Sequence, residues 1–86
     1  MQRGWVVSPD YRAAINILKE TRIGLGISQR ELARRLGKPP SFVNKIEQLE
    51  RRLDVLEFIA IAEVMGLKAD TLLVRLRAAL PDIVKI

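Results

Sequence analysis

Histidine and cysteine are both absent from the 86 residues of this chain. The lack of cysteine excludes a disulfide framework, a thiolate metal site and a cysteine nucleophile. The lack of histidine removes the most common general base, the most common metal ligand and the serine–histidine–aspartate triad. The remaining residues form neither a glycine-rich phosphate loop nor a pair of catalytic carboxylates. We therefore expect no enzymatic activity, no cofactor and no metal site.

Long hydrophobic runs are also absent. The longest unbroken apolar run covers residues 58–62, whereas a membrane span needs roughly 20 residues. The apolar stretch near the start is too short for a secretory signal, so we expect a cytoplasmic protein with no membrane partner. A hydrophobic content of 49% suits one compact domain over residues 1–86, with an N-terminal arm at 1–7 and a C-terminal tail at 81–86.

The positive charge is concentrated in the middle of the chain. The net charge is +5, and residues 28–52 carry seven basic and three acidic groups, a local net charge of +4. Residues 53–86 carry four basic and five acidic groups, a net charge of −1. A basic centre of this kind favours a polyanionic partner.

Helical periodicity predicts an all-α domain of five helices. Typical capping residues or prolines mark the predicted helix starts, and glycine or proline marks most of the ends. The predicted starts are Ser8, Ser28, Pro39, Asp54 and Asp70. The predicted ends are Gly24 to Gly26, Gly37, Gln48 or Leu49, Gly66 and Pro81. Two capping boxes are expected, Ser28 with Glu31 and Asp54 with Glu57.

The apolar stripes of these helices predict the core. The first helix has Tyr11, Ala14, Ile15 and Leu18. The fourth has Val55, Phe58, Ile59, Ala62 and Met65, with Ala60, Ile61 and Val64 on a second apolar side. The fifth has Leu72, Leu73, Leu76, Ala79 and Leu80. Arg22 continues the first stripe, so its guanidinium needs an acidic partner elsewhere in the chain.

The third helix has one polar face without an acidic residue. Ser41, Asn44, Lys45 and Gln48 follow at helical spacing, while Phe42, Val43 and Ile46 face inward. In the second helix, Ala33 and Gly37 are four residues apart, as a close helix–helix approach followed by a sharp turn requires. A short helix, a glycine turn and a second helix with a polar face describe a helix-turn-helix, whose second helix enters the major groove of DNA.

From Leu18 to Leu73 the sequence resembles the Cro/cI-type, or Xre-family, helix-turn-helix regulators. The resemblance rests on residues 25–29, 31–33, 36–37, 42–47, 53–58 and 61–66. It implies a lambda-repressor-like fold and a sequence-specific DNA-binding transcriptional regulator, a repressor, of bacterial or phage origin and associated with the nucleoid. Three residues depart from the family pattern. Leu49 replaces a glycine and is expected to change the exit from the third helix, Lys38 replaces an apolar turn residue, and Pro40 replaces a base-reading glutamine.

The resemblance and the geometry together give roles to individual residues. Ser41, Asn44 and Lys45 are expected to read bases, with Asn44 suited to adenine and Lys45 to guanine. The residues expected to bind phosphates are Gln29, Lys38, Gln48, Arg51 and Arg52. Arg22 and Glu47 are expected to form an ion pair that supports the site, together with Ala33 and Gly37. Arg30, Arg34 and Arg35 are interpreted as an ordinary solvated helix face.

The family usually binds palindromic operators as a homodimer, so we expect double-stranded DNA and a second copy as partners. Three segments could form the dimer interface: the fifth helix with the tail, the second apolar side of the fourth helix, and residues 5–7. An antitoxin or adaptor that uses the same fold to bind a protein is the alternative function. No small-molecule ligand is expected, because the chain has no domain for one.

Overall fold

The computed structural model describes residues 7–86, which form an all-α domain of five helices. The helices are α1 (Pro9–Gly24), α2 (Gln29–Leu36), α3 (Phe42–Glu47), α4 (Val55–Val64) and α5 (Ala69–Ala78). The predicted arm at 1–7 lies outside the described residues except for Val7. Within residues 7–86 no helix is both long and apolar enough to cross a bilayer.

Side-chain caps fix the starts of α1, α2 and α4, as the sequence predicts. The Ser8 hydroxyl accepts the Tyr11 backbone N–H group at 3.0 Å, and Asp54 and Glu57 form the complete capping box. The predicted box at α2 is only half formed. Ser28 accepts from the Glu31 backbone N–H group at 3.0 Å, but the Glu31 carboxylate accepts from two arginines of the same helix instead.

Two helices begin at positions that differ from the prediction. The prolines expected to start α3 lie in a preceding turn, in which the Phe42 N–H group donates to the Pro39 carbonyl at 3.0 Å. Ser41 is the N-cap of α3 and makes no side-chain capping bond. The fifth helix begins at Ala69 with Lys68 as its cap, so Asp70 lies in the first turn.

Four of the five helices end in the same backbone motif. After α1, α2 and α4 a glycine adopts a left-handed conformation, with φ of 72° at Gly26, 68° at Gly37 and 82° at Gly66. After α3 the same position is Leu49, with φ of 62°. The Leu49 N–H group donates to the Ile46 carbonyl at 3.0 Å, and the Glu50 N–H group donates to the Lys45 carbonyl at 2.9 Å. Leu49 thus adopts the conformation usually taken by glycine, and the expected change of exit is wrong.

The core is a single apolar cluster shared by all five helices. α1 packs against α3 and α5, α2 packs against α3 and α4, and α4 packs against α5. The buried apolar residues are Ile15, Leu18, Ile27, Leu32, Ala33, Phe42, Val43, Ile46, Leu49, Ile61, Ala62, Met65, Leu72 and Leu76. Arg22 is also buried, as the stripe on α1 predicts.

Four residues predicted to face the core lie on the surface instead. Val55 is 74% exposed, Ile59 37% and Leu73 57%, and Ala79 is exposed as well. The core side of α4 combines members of both predicted apolar sides, because Ile61, Ala62 and the adjoining Met65 are all buried. Both α4 and α5 carry more apolar positions than one small core covers, so part of each stripe remains in solvent.

Candidate nucleic-acid interface

The second and third helices form a rigid bent unit. Ala33 is completely buried, and its small side chain permits the close approach of α2 and α3. Gly37 reverses the chain in its left-handed conformation. Phe42, Val43 and Ile46 are buried and hold the inner side of α3 on the core. The opposite side of α3 is therefore presented to solvent in a fixed orientation.

The exposed side of α3 carries the polar residues that the sequence singles out. Ser41, Asn44, Lys45 and Gln48 are all exposed. The helix has one acidic residue, Glu47, and its side chain is only 4% exposed and directed inward. The outward face thus has hydroxyl, amide and ammonium groups and no carboxylate, as the polar face predicts.

A buried ion pair ties α3 to α1. The Arg22 guanidinium donates two hydrogen bonds to the Glu47 carboxylate. Nε donates to Oε2 at 2.7 Å and Nη2 donates to Oε1 at 3.0 Å. A third donor, Nη1, binds the Ile27 carbonyl at 2.7 Å. The two side chains are 8% and 4% exposed, so water screens this pair little. The predicted Arg22–Glu47 pair is present.

Gln29 belongs to the same network, and its predicted phosphate contact stays a prediction. Its Nε2 donates to Glu47 Oε1 at 2.8 Å and to Asn44 Oδ1 at 3.3 Å. An amide nitrogen has two hydrogens, so both are used within the protein. The side chain of Gln29 therefore joins Asn44 to the buried ion pair, and the backbone N–H groups of the first turn of α2 stand beside it at the start of the helix.

Three cations near α3 lie over aromatic rings. Lys38 Nζ is 5.5 Å and the Arg51 guanidinium carbon 4.8 Å from the centre of the Phe42 ring. The Arg52 guanidinium carbon is 4.8 Å from the centre of the Tyr11 ring. These contacts hold the cations beside the helix-turn-helix unit at little cost in hydration, because each charge remains partly in water.

Arg51 is also committed to an ion pair. Its guanidinium donates to Glu57 at 2.8 Å and to the Arg52 carbonyl at 2.9 Å. The hydrogen bond from Arg51 lowers the pKa of the Glu57 carboxyl, and the same bond raises the pKa of Arg51. Arg51 thus joins the loop after α3 to the first turn of α4, in addition to carrying positive charge.

The arginines of α2 form local ion pairs on its solvated side. Arg34 and Arg35 donate to the Glu31 carboxylate at 2.6 Å and 2.8 Å, and Arg35 also reaches the Val64 carbonyl at 2.9 Å. The hydrogen bonds from these two arginines lower the pKa of Glu31 to about 2. This arrangement agrees with the interpretation of these arginines as a surface face.

The sequence could not reveal the contacts that cross between elements. Gln29 and Asn44 are 15 residues apart, and no periodicity links them. Arg51 and Glu57 are six residues apart across a loop, where helical spacing does not apply. The one available signal was chemical, since a buried Arg22 needs an acid and Glu47 is the acid on the inner side of α3.

Comparison with known proteins agrees with this geometry. A helix-turn-helix family model matches residues 18–72. The structure is similar to that of an XRE-family like protein from Pseudomonas syringae pv. tomato, with 47% identity, a TM-score of 0.75, and coverage of 84% of this chain and 88% of that one. The chain belongs to the XRE family of helix-turn-helix proteins. Its class is therefore that of helix-turn-helix DNA-binding proteins.

More distant structures share the fold. The clp gene regulator ClgR from Corynebacterium glutamicum has 19% identity and a TM-score of 0.68, over 78% of this chain and 72% of that one. A hypothetical transcription factor, NHTF, from Neisseria has 23% identity and a TM-score of 0.65, over 94% of this chain and 90% of that one. No sequence among the curated proteins matches this chain.

Proposed function

We propose that this protein is a sequence-specific transcriptional repressor that binds double-stranded DNA through the major groove. The observation that carries the proposal is the exposed face of α3, which has no carboxylate and is held by a buried ion pair and by the packing of α2. A rigid helix of this width fits the major groove, whose base edges present hydrogen-bond donors and acceptors. The names of ClgR and NHTF, a regulator and a transcription factor, are consistent with this proposal.

Three side chains on this face are proposed to read bases. Asn44 offers an acceptor and two donor hydrogens, which suits the N6 and N7 edge of adenine. Its Oδ1 accepts one bond from Gln29 and has a second lone pair for the base, so the amide is oriented before it meets DNA. Lys45 suits the O6 and N7 acceptors of guanine, and Ser41 can bond to several bases. Each good contact contributes about 1–3 kcal/mol of discrimination.

Phosphate contacts are proposed on both sides of α3. Lys38, Gln48 and Arg52 are exposed beside the reading face. The first-turn N–H groups of α2, beginning at Gln29, favour an anion through the helix dipole. Arg51 contributes positive charge there, although its hydrogen bonds to Glu57 make support of the loop its first role.

We further propose that two copies bind a palindromic operator in the cytoplasm of a bacterium. One copy reads few base pairs, whereas two copies place their α3 helices in successive major grooves, about 34 Å apart. Binding at a promoter then blocks access of the polymerase, which makes the protein a repressor.

Selection from a random duplex library at two salt concentrations tests this function. We expect an enriched palindrome and an affinity that falls steeply as salt rises, because phosphate contacts release counterions. Asn44→Ala and Lys45→Ala should each relax preference at particular base positions. Arg52→Ala should weaken all sequences alike and reduce the salt slope by about one.

Arg30→Ala is the matched control, because Arg30 is an exposed cation of α2 outside the proposed contact set. We expect no change in base preference for this variant. If the Asn44, Lys45 and Arg52 variants lose affinity equally for all sequences, the division between reading and anchoring residues is wrong.

The antitoxin or adaptor alternative predicts a different response. Its binding would rest on a packed protein interface, which salt weakens only mildly. The exposed apolar residues of α4 and α5 are the observation that favours a protein partner of some kind. No enrichment of any duplex at either salt concentration would favour this alternative over the regulator.

A further inference from the structure

An exposed apolar surface joins α4 and α5, neither of which packs against α3. We define the α4–α5 patch as Val55, Leu56, Ile59, Leu73 and Val74, which are 74%, 77%, 37%, 57% and 68% exposed. Single apolar residues on a surface are ordinary, but a contiguous group marks an interaction site.

A groove connects three members of the patch. Val55, Ile59 and Leu73 line it together with Phe58, and its volume is about 530 Å³. Its lining is almost entirely apolar, and the carboxylates of Asp54 and Asp70 lie at its edge. Water in such a groove has few hydrogen-bonding partners, so covering it with another apolar surface is favourable.

The charges on α5 select the occupant. Asp70, Leu73, Val74 and Arg77 stand at i, i+3, i+4 and i+7, and all four are exposed on one side of the helix. The acidic and basic residues lie at equal distances from the midpoint between Leu73 and Val74. Along the helix the order is acidic, apolar, apolar, basic. Along a second, antiparallel copy the order is basic, apolar, apolar, acidic, so opposite charges face each other.

A second copy of the chain is complementary to that pattern. In an antiparallel pairing about a two-fold axis, Asp70 of one copy meets Arg77 of the other twice, and Leu73 packs against Val74. A parallel pairing would instead bring like charges together. The charge pattern therefore makes the surface self-complementary in the antiparallel arrangement of a symmetric dimer.

Both charges are available for this pairing. Within residues 7–86, neither Asp70 nor Arg77 forms an ion pair. The Arg77 guanidinium donates to the carbonyls of Pro81 and Asp82, at 2.9 Å and 3.0 Å, which orients it without neutralising its charge. Its remaining N–H donors suffice for a carboxylate.

We propose that the α4–α5 patch is the interface of a symmetric homodimer in which the α5 helices pair antiparallel. The proposal rests on the proposed function in one respect, because it specifies the interface of the dimer that binds the palindromic operator. The position of the patch suits that function, because α5 packs on α1 and α4 but makes no packing contact with α3. The reading face of each copy thus remains uncovered in the dimer. The beginning of the tail is held by Arg77, and its Lys85 N–H group donates to the Asp10 carboxylate at 2.8 Å, at the start of α1.

Charge exchange tests the pairing without removing an apolar residue. Self-association of the full chain is measured by sedimentation equilibrium without DNA, with the folded state checked by circular dichroism. Asp70→Arg and Arg77→Asp each place like charges together twice, so each should raise the dimer dissociation constant at least about tenfold. The double variant exchanges the charges and should return the constant to within about threefold of the original.

Leu73→Asp and Ile83→Asp form a matched pair of apolar-to-acidic changes. Leu73 lies in the patch, whereas Ile83 lies in the tail and is 79% exposed. We expect a monomer for Leu73→Asp and an unchanged dimer for Ile83→Asp. A chain that is monomeric at all concentrations, a dimer lost only with Ile83→Asp, or a double charge variant no better than the single ones overturns the proposal.

Binding to a single half-site separates this proposal from the proposed function. If both are right, Leu73→Asp retains half-site binding and loses the cooperativity of the full palindrome. If the function is wrong, no duplex is bound selectively, but the charge exchange still controls self-association. If the interface is wrong, selective binding remains and the charge variants associate as the original chain does.

Discussion

Replacing Leu49 tests whether a buried leucine holds a left-handed conformation at the end of α3. Leu49 is 4% exposed and has φ of 62°, so one residue fills the core and also reverses the chain. An L-residue with a Cβ atom pays about 1–2 kcal/mol for this conformation, whereas glycine pays none. We infer that burial of the Leu49 side chain stabilises the fold by more than this conformational cost, because the residue adopts the left-handed conformation in spite of its Cβ atom.

The two functions of Leu49 separate when alanine and glycine are compared. Leu49→Ala removes the buried side chain and keeps the strain, which should cost about 2–5 kcal/mol of unfolding free energy. Leu49→Gly removes the same side chain and also removes the strain. Glycine loses more chain entropy than alanine on folding, which costs about 0.5–1 kcal/mol of the free energy gained from the relieved strain. We therefore expect the glycine variant to be as stable as the alanine variant, or up to about 1.5 kcal/mol more stable.

Ile46 provides the matched control, because it is 2% exposed but lies within α3. There glycine should be less stable than alanine by about 1 kcal/mol, as in any helix interior. Urea unfolding of the four variants measures both differences, and comparing them cancels most of the cavity cost. If glycine is worse than alanine at Leu49 by the same amount as at Ile46, Leu49 is not left-handed and the account of the helix end is wrong.

Three further measurements address the support of the site and its electrostatics. Glu47→Ala should cost about 3–5 kcal/mol of unfolding free energy, because it leaves the Arg22 guanidinium buried without its partner. The double variant Arg22→Met with Glu47→Leu should cost much less. An equal loss of unfolding free energy in both would show that the unpaired charge is not the cause. The lowered pKa of Glu31 means that its ion pairs stabilise the fold above its ordinary pKa of 4.5 and are lost as the pH falls toward about 2. An NMR titration of the carboxyl should find that midpoint, and the stability of Glu31→Gln should lack this part of the acid dependence; a midpoint near 4.5 would contradict the paired geometry. Tyr11→Phe removes the hydroxyl that accepts the Leu53 N–H group at 3.0 Å and should cost about 0.5–1.5 kcal/mol in thermal unfolding, whereas an unchanged melting temperature would mean that water replaces the bond fully.

Features that depend on neighbouring residues could be predicted from the sequence. The starts at Ser8 and Asp54 are local, because a cap and the N–H group it accepts lie three residues apart. The polar side of α3 was equally local, since periodicity alone separates it from Val43 and Ile46. The Arg22–Glu47 pair followed from chemical need rather than from spacing.

What depends on the amount of core available could not be predicted. Periodicity assigns Val55, Ile59 and Leu73 to apolar stripes, but it does not say how much of a stripe the other helices cover. The conformation of Leu49 was missed for a related reason, because a left-handed leucine is unfavourable on its own and is stabilised only by the core around it. The hydrogen bonds of Gln29 depend on the angle between α2 and α3, which no local pattern contains.

The bond between Gln29 and Asn44 makes the three proposed reading positions unequal in how freely they can evolve. Exchange of Asn44 leaves a donor of Gln29 without its acceptor and disturbs the group that also holds Glu47. The side chains of Ser41 and Lys45 form no hydrogen bond or ion pair within residues 7–86, so substitution of either should disturb the rest of the fold little. Changes in DNA target preference should therefore arise first at these two positions. Asn44 should vary less, because its exchange also disturbs the contacts of Gln29.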